Sequence, residues 1–191
     1  MRKAKAIEPS ISKQDVDAWF EKQESQQLKR KSVYNSYVVD HRLQQIHVDI
    51  ADFRKGSDDI EFKYAFIAID IFSRFLVGCP MKGKTAADCK QALEFVIDKF
   101  GHFEELYTDS EGGLLSKPVI ALFNKHKIKH ISTYGKAFHA EKAIHIMKMG
   151  IHARLQGLKL DVDEWPRLLS KVIHKYNYDI VSTAHNLTPY D

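Results

Sequence analysis

Residues 46–53 read IHVDIADF. Apolar and polar side chains alternate along this run, and a period of two predicts a β-strand. Asp49 lies between Val48 and Ile50, so its carboxylate is expected close to the core of a central strand. A charge in such a place is costly unless it is paired or bound to a metal ion. Asp49 is therefore a candidate site residue, with an ion-paired core aspartate as the alternative.

The predicted elements around this strand indicate an α/β fold. The strands are predicted at 43–53, 63–72, 74–81, 105–109 and 128–132, and the helices from a Thr85 cap to Phe100, from Ser116 and Pro118 onward, around Glu141, and within 161–178. Three antiparallel strands followed by alternating helices and strands give a mixed five-stranded sheet flanked by helices. In the helix after Pro118, we expect Ile120, Leu122 and Phe123 to be largely buried.

Two further carboxylates lie at comparable places. Asp109 ends the strand 105–109, just before the turn signal of Gly112 and Gly113, and Glu141 stands near the start of a helix. If the fourth strand pairs beside the first, Asp49 and Asp109 become neighbours. Carboxylates from neighbouring elements are the hard oxygen ligands that a pair of Mg²⁺ ions needs for attack on a phosphodiester. Taken alone, an aspartate at a strand end is more often a turn former, and a helical glutamate is usually solvated.

The helix around Glu141 has two distinct faces. At 100° per residue, one face carries Glu141, His145, Lys148 and His152. The adjacent flank is apolar and is expected to pack on the sheet: Ile144, Met147, Ile151 and Leu155. The first face would then point toward a cleft, where a lysine can hold phosphate. A solvated polar stripe is the alternative.

Composition limits the class of protein only moderately. The 191 residues suit one domain with an appended arm, and the net charge of +4 is compatible with a polyanionic partner such as DNA. Two cysteines give no basis for a disulfide framework or a cysteine-based zinc site. No apolar run is long enough to span a membrane, and the first ten residues lack a secretory signal. We therefore expect a nuclear or cytoplasmic protein without a membrane partner.

The chain is predicted to divide near residue 40. Residues 1–41 form an N-terminal helical arm and basic linker, and residues 42–191 form the core. The arm helix is predicted from Lys13 to about Leu28, and Trp19 and Phe20 pack either in a small core of their own or against the main domain. The basic linker that follows is either a solvated connector or a DNA contact.

Six short motifs carry a resemblance to a known family. They are VDIAD at 48–52, AIDIFSRF at 68–75, YTDS at 107–110, ISTY at 131–134, YN at 176–177 and TP at 188–189. With these motifs the chain resembles the catalytic core of retroviral-type integrases. It is most similar to those of Polinton/Maverick transposons, with gypsy-like retrotransposons next.

The resemblance implies an RNase H-like fold and a set of functional residues. Asp49, Asp109 and Glu141 match the catalytic DDE triad, which binds Mg²⁺ or Mn²⁺. Lys148 matches a lysine that contacts DNA near the cleaved end. We expect Tyr134, Lys142 and His145 to contact DNA as well. The implied partners are DNA and further copies of the chain, in a homo-oligomer.

The chain departs from the family pattern around the triad. Lys142 and Ile144 stand where the family usually has arginine and asparagine, and Ile46 replaces a common tryptophan. Two hypotheses of function follow. The first is a DDE-type integrase core that catalyses Mg²⁺-dependent DNA-end cleavage, after which the freed 3′-hydroxyl attacks target DNA. The second is a domesticated, catalytically inactive integrase fold that binds DNA or protein.

Overall fold

The computed structural model describes residues 12, 14, 15, 19, 38–54, 60–109, 112–133, 138–182 and 186–191. The chain separates into two compact units, Met1–Tyr37 and Val38–Asp191. In the first unit, Gln14, Asp15 and Trp19 are helical. The rest of the predicted arm helix, the basic linker and Tyr134 lie outside the described residues. The predicted division after residue 41 stays a prediction.

The second unit is built on one mixed sheet. Its strands are β1 (Gln45–Asp52), β2 (Tyr64–Asp70), β3 (Leu76–Met81), β4 (Glu105–Asp109) and β5 (Lys129–Thr133). They lie in the order β3-β2-β1-β4-β5. β1 pairs with β2 antiparallel and with β4 parallel, so β1 is the central strand. The prediction of a mixed five-stranded sheet is confirmed.

Helices cover both faces of this sheet. They are α1 (Ala86–Phe100), α2 (Lys117–His126), α3 (Phe138–Leu158) and α4 (Trp165–Tyr178), and a short 3₁₀ turn (Val162–Glu164) precedes the last. α1 and α2 pack on the face that carries Ile46, Val48 and Ile50 of β1. α3 packs on β1 and β2, and α4 on β3 and α3. Because side chains alternate along a strand, Asp49 belongs to the face covered by α3. Among the described helices, none combines the length and the apolar composition that crossing a bilayer requires.

The predicted burial of Ile120 in α2 is wrong, since 42% of this residue is exposed. Val119, Leu122 and Phe123 are the buried residues of that helix. Their spacing of three and four forms one apolar stripe toward the core, and Ile120 lies to the side of it.

The turn between β2 and β3 is held by the buried carboxylate of Asp70. Its Oδ2 accepts hydrogen bonds from the Ser73 backbone N–H at 2.9 Å and the Ser73 hydroxyl at 2.6 Å. Its Oδ1 accepts the backbone N–H of Leu43 at 3.1 Å, in the segment before β1. Asp70 thus joins two segments that are far apart in sequence, and it explains the aspartate of the DIFSR motif.

Asn177, near the end of α4, pairs with the outer strand of the sheet. Its side-chain oxygen accepts the backbone N–H of Leu76 at 2.9 Å, and its Nδ2 donates to the Leu76 carbonyl at 2.8 Å. The backbone carbonyl of Asn177 also accepts the N–H of Tyr190 at 3.1 Å, which fixes the C-terminal segment. The YN motif therefore ties α4 to β3 and to the segment that carries the TP motif.

Candidate active site

The parallel pairing of β1 with β4 brings two of the predicted carboxylates together. Val48 is in register with Thr108, so Asp49 and Asp109 each stand one residue further on, Asp49 within β1 and Asp109 at the end of β4. Residues in register on parallel strands point to the same face of the sheet, here the face covered by α3. The expectation that Asp49 and Asp109 become neighbours is confirmed at the level of strand pairing.

Three rings connect the elements that carry the three carboxylates. His47, Tyr107 and His139 stand two residues before Asp49, Asp109 and Glu141, respectively. The rings of His47 and Tyr107 are stacked, with centroids 4.6 Å apart and planes 13° apart. His47 also meets His139 edge-on at 5.6 Å. The first turn of α3 therefore contacts β1 directly and is linked to β4 through the ring of His47. Glu141 stands in that same first turn of α3.

The two histidines of this ring cluster are neutral at pH 7. Burial, followed by the charges of His139 and Arg74, lowers the pKa of His47 to about 3. Burial, followed by the charges of Arg74 and Lys142, lowers the pKa of His139 to about 4. Arg74 Nη1 lies 2.9 Å from His139 Nδ1. Since guanidinium can only donate, Nδ1 is the acceptor and the ring proton is on Nε2.

The surroundings of the three carboxylates differ. Asp49 is half-buried, and its Oδ1 accepts the backbone N–H of Ile50 at 2.7 Å. Asp109 is half-buried as well, with Oδ1 inside the protein. Glu141 is half-buried in the first turn of α3, where the helix dipole favours a negative charge. All three carry carboxylate oxygens, the hard ligand type that Mg²⁺ prefers.

Within the residues that the structure describes, no three His, Cys, Asp or Glu side chains gather closely enough to hold a metal ion. Residues 55–59, 110–111 and 134–137 are not among them. Asp49 and Asp109 are the pair whose strand positions and chemistry fit a divalent cation. Glu141 as a third ligand stays a prediction.

The two predicted faces of α3 are present. Ile144, Met147, Ile151 and Leu155 are buried, which confirms the apolar flank. On the other face, His145 and His152 are exposed and Glu141 and Lys148 are half-buried. Lys142, which was not predicted on that face, is exposed.

Lys148 is the most enclosed cation of that face. Its Nζ lies 5.6 Å from the ring centroid of Phe53, and this ring stacks on Trp165 at 4.1 Å. The same residues line a pocket of about 330 Å³, together with Asp52 and His152. Asp52 is engaged by Arg54, whose Nε donates at 3.0 Å, and this hydrogen bond lowers the pKa of Asp52.

Lys148→Ala is expected to weaken DNA binding for all sequences alike, because a phosphate contact carries no base information. The slope of log affinity against log salt should fall by about one unit. The measurement is fluorescence anisotropy on a labelled duplex at several salt concentrations. Lys125→Ala on α2, at the other face of the sheet, removes the same charge. Equal effects of the two substitutions would contradict a specific role for Lys148.

Comparison with known families and structures agrees with this arrangement. Residues 40–134 match the model of the integrase core domain family. This stretch is similar to an integrase core domain. The comparison with curated proteins found no match.

Solved structures of integrase cores show the same fold as this chain. The HTLV-2 integrase catalytic core domain in complex with magnesium matches with a TM-score of 0.66 at 17% identity, over 78% of this chain and 94% of that one. The catalytic core domain of BIV integrase matches with a TM-score of 0.62 at 16% identity, over 78% and 91%. A chain of the simian T-cell lymphotropic virus intasome in complex with PP2A regulatory subunit B56 gamma matches with a TM-score of 0.69 at 18% identity. The match covers 78% of this chain and 53% of that one. This chain thus spans about half the length of the intasome chain, and the RNase H-like fold is confirmed.

Two features of this site were not predicted from the sequence. One is the ring contact among His47, Tyr107 and His139, and the other is the hydrogen bond from Arg74 to His139. The spacing of two before each carboxylate is visible in the sequence and could have pointed to the rings. The Arg74 contact joins residues 65 apart, and no local pattern reports it.

Proposed function

We propose that this integrase core is a DDE-type polynucleotidyl transferase that cleaves DNA ends and joins them to target DNA in a Mg²⁺-dependent reaction. The observation that carries the proposal is the meeting of β1, β4 and α3 at the rings of His47, Tyr107 and His139. Two residues beyond each ring stands one of the carboxylates Asp49, Asp109 and Glu141. An ordinary turn-forming role for the two aspartates would not require all three elements to converge there.

Each proposed role belongs to a particular side chain. Asp49 and Asp109 would hold the divalent cation, Mg²⁺ or Mn²⁺, with Glu141 as the third ligand. Such a cation supplies charge neutralisation at the phosphate that is attacked. Lys148 would hold the DNA backbone beside it, and His145 would extend that contact along α3. Lys142 would contact DNA from the exposed start of the same helix. Tyr134 is proposed as a further DNA contact from the resemblance alone.

The proposed partners are DNA and further copies of the chain. The HTLV-2 core is described in dimeric and trimeric forms with magnesium, and the simian virus protein in an intasome. Those relatives support a homo-oligomer as the active form here. The DIFSR and YN…TP motifs support a transposon origin of the Polinton/Maverick type, and the site of action would be the nucleus or cytoplasm.

A second candidate function is a domesticated fold that binds DNA or protein without catalysis. It is favoured by the exchanges around the triad, with Lys142 and Ile144 in place of the usual arginine and asparagine. It is also favoured by the described residues holding no ready-made three-ligand cluster. In that case the basic face of α3 would still bind DNA, but no strand would be cut.

A cleavage assay separates the two candidates. The whole chain is incubated with end-labelled duplex DNA in Mg²⁺, in Mn²⁺ and in EDTA, and products are resolved on a denaturing gel. Metal-dependent shortening or joining of strands is expected. DNA binding without any product in either metal would contradict the transferase activity and support the catalytically inactive DNA-binding fold.

Divalent metal is also expected to raise the melting temperature, because it relieves repulsion between neighbouring carboxylates. At about ten times the dissociation constant, the gain corresponds to a rise of roughly 3–6 °C for a chain of this size. Differential scanning fluorimetry with Mg²⁺ or Mn²⁺ measures it, and Asp109→Asn should remove most of the rise. An unchanged melting temperature of the native chain would argue against an intact metal site.

A further inference from the structure

A second basic pocket, separate from the one that Lys148 lines, opens beside the start of α3. It has a volume of about 630 Å³ and lies where the β2–β3 turn, the segment before β1, the end of α4 and the C-terminal segment meet. Its described cations are Arg42, Arg74 and Lys142. The motifs DIFSR, YN and TP, up to about a hundred residues apart in the chain, all contribute to its lining.

The positions of the two arginines follow from the hydrogen bonds by which Asp70 joins the segment before β1 to the β2–β3 turn, here called the Asp70 clamp. Asp70 accepts the N–H of Leu43, the residue after Arg42, and that of Ser73, the residue before Arg74. Leu43 and Arg74 both adopt the left-handed backbone conformation, with φ of 62° and 67°. Non-glycine residues rarely adopt this conformation, so a specific contact must hold them there. One buried carboxylate therefore fixes both arginines at the pocket.

The pocket carries excess positive charge. Within the described part of the chain, none of Arg42, Arg74 and Lys142 forms an ion pair with a carboxylate. The acid among the described lining residues is Asp191, whose carboxylate accepts the backbone N–H and the hydroxyl of Thr188, at 2.9 and 2.8 Å. Arg74 Nη1 donates to His139 Nδ1 at 2.9 Å, and no carboxylate of the described residues pairs with this guanidinium.

Neutral donors and apolar groups complete the pocket. Burial raises the pKa of Tyr176, so its hydroxyl keeps its proton and can donate. The remaining wall of the pocket is apolar and open to solvent. The exposed fraction is 51% for Phe72, 44% for Ile180, 53% for Val181 and 50% for Leu187.

We infer that this pocket binds a backbone phosphate of a nucleic-acid strand on Arg42, Arg74 and Lys142, with the adjoining nucleotide against Phe72. Guanidinium forks match phosphate oxygens in a bidentate way, and an aromatic face beside a basic groove suits an unpaired base. Arg74 touches His139 and Lys142 follows Glu141, so the phosphate would lie next to the catalytic helix. An acidic protein segment would use the same cations, but it gives no reason for their position at the start of α3, the helix that carries Glu141.

This inference rests on the proposed function only in taking DNA as the substrate. Binding is measured without catalysis, in EDTA, by anisotropy of a labelled single strand of thymidines and of a labelled blunt duplex. The variants are Arg42→Gln and Arg74→Gln, with Lys125→Gln on α2 as the matched loss of charge. Phe72→Ala is compared with Phe95→Ala, which shortens an exposed aromatic side chain on α1. Circular dichroism shows whether each variant is folded. If Arg74→Gln fails to fold, Arg42→Gln still tests the pocket, because Arg42 is exposed and its substitution should leave the fold intact.

Arg42→Gln and Arg74→Gln are each expected to weaken binding about tenfold, well beyond Lys125→Gln, and to reduce the salt slope by about one unit. Phe72→Ala is expected to weaken binding of the single strand more than that of the duplex. Effects equal to those of Lys125→Gln would overturn the inference, as an acidic protein ligand predicts. If the chain cuts DNA but the arginine variants bind no more weakly than Lys125→Gln, only this inference is contradicted. If the arginine variants bind more weakly but the chain does not cut DNA, only the proposed transferase activity is contradicted. If the chain binds no DNA, both the inference and the proposed transferase activity are contradicted.

Discussion

Asp49→Asn is expected to lower metal-dependent DNA cleavage and joining about a thousandfold or more, to the level seen in EDTA. Asparagine keeps the shape of the side chain and can still accept the N–H of Ile50, so the strand should form as before. The negative charge that attracts the cation is lost. The rate is measured on end-labelled duplex DNA under saturating Mg²⁺, and the melting temperature without metal shows that the fold is intact.

The matched control is Asp98→Asn on α1, at the other face of the sheet. Its carboxylate is exposed and forms a surface ion pair with Lys99 at 3.2 Å, and such pairs contribute little. The control should keep the activity of the native chain. Activity of Asp49→Asn within a factor of about ten of the control would contradict metal binding at Asp49, since loss of a ligand usually costs more.

Asp70→Ala is expected to be the most destabilising single substitution outside the apolar core, by about 3–5 kcal/mol. Three hydrogen bonds to one buried carboxylate are lost, and the N–H groups of Leu43 and Ser73 are left without an acceptor. The strained turn that carries Arg74 would lose the contact that holds it. Urea denaturation followed by circular dichroism measures the change in the free energy of unfolding.

Ser73→Ala measures how much of the stability comes from the Ser73 hydroxyl alone, apart from the two backbone hydrogen bonds to Asp70. It removes the 2.6 Å hydrogen bond but leaves both backbone donors on Asp70, so about 1 kcal/mol is expected. Asp70→Asn should fall between the two, because an amide has one acceptor oxygen where the carboxylate has two. Were Asp70→Ala no more destabilising than Ser73→Ala, the clamp would not be what holds the two segments.

Local patterns were sufficient to predict the sheet and the position of the aspartates. The alternation around Asp49 marked β1 as a central strand. The pairing of β1 with β4 entered only as a condition for Asp109 to lie beside Asp49, and the structure supplies it. The apolar spacing in α3 likewise showed which face packs on the sheet. These features depend on neighbours within a few residues, where sequence periodicity reports burial directly.

Long-range contacts could not be predicted in this way. Nothing near Asp70 indicates that its second oxygen binds Leu43, and nothing near Asn177 indicates a pairing with Leu76. Both depend on turns that bring distant segments together. The resemblance singled out the same motifs as distinctive without explaining them, and their physical reason is visible only when the segments meet. Tyr134 and most of the arm remain predictions.

The pairing of Asn177 with Leu76 has a consequence for self-association. β3 is an edge strand, and an open edge is a template on which another chain can add a strand and aggregate. Here an amide side chain already takes the donor and acceptor of Leu76, and Pro80 further along offers no N–H at all. Strand addition at this edge is therefore disfavoured. Copies of the chain that assemble on DNA would then meet through surfaces other than this edge of β3.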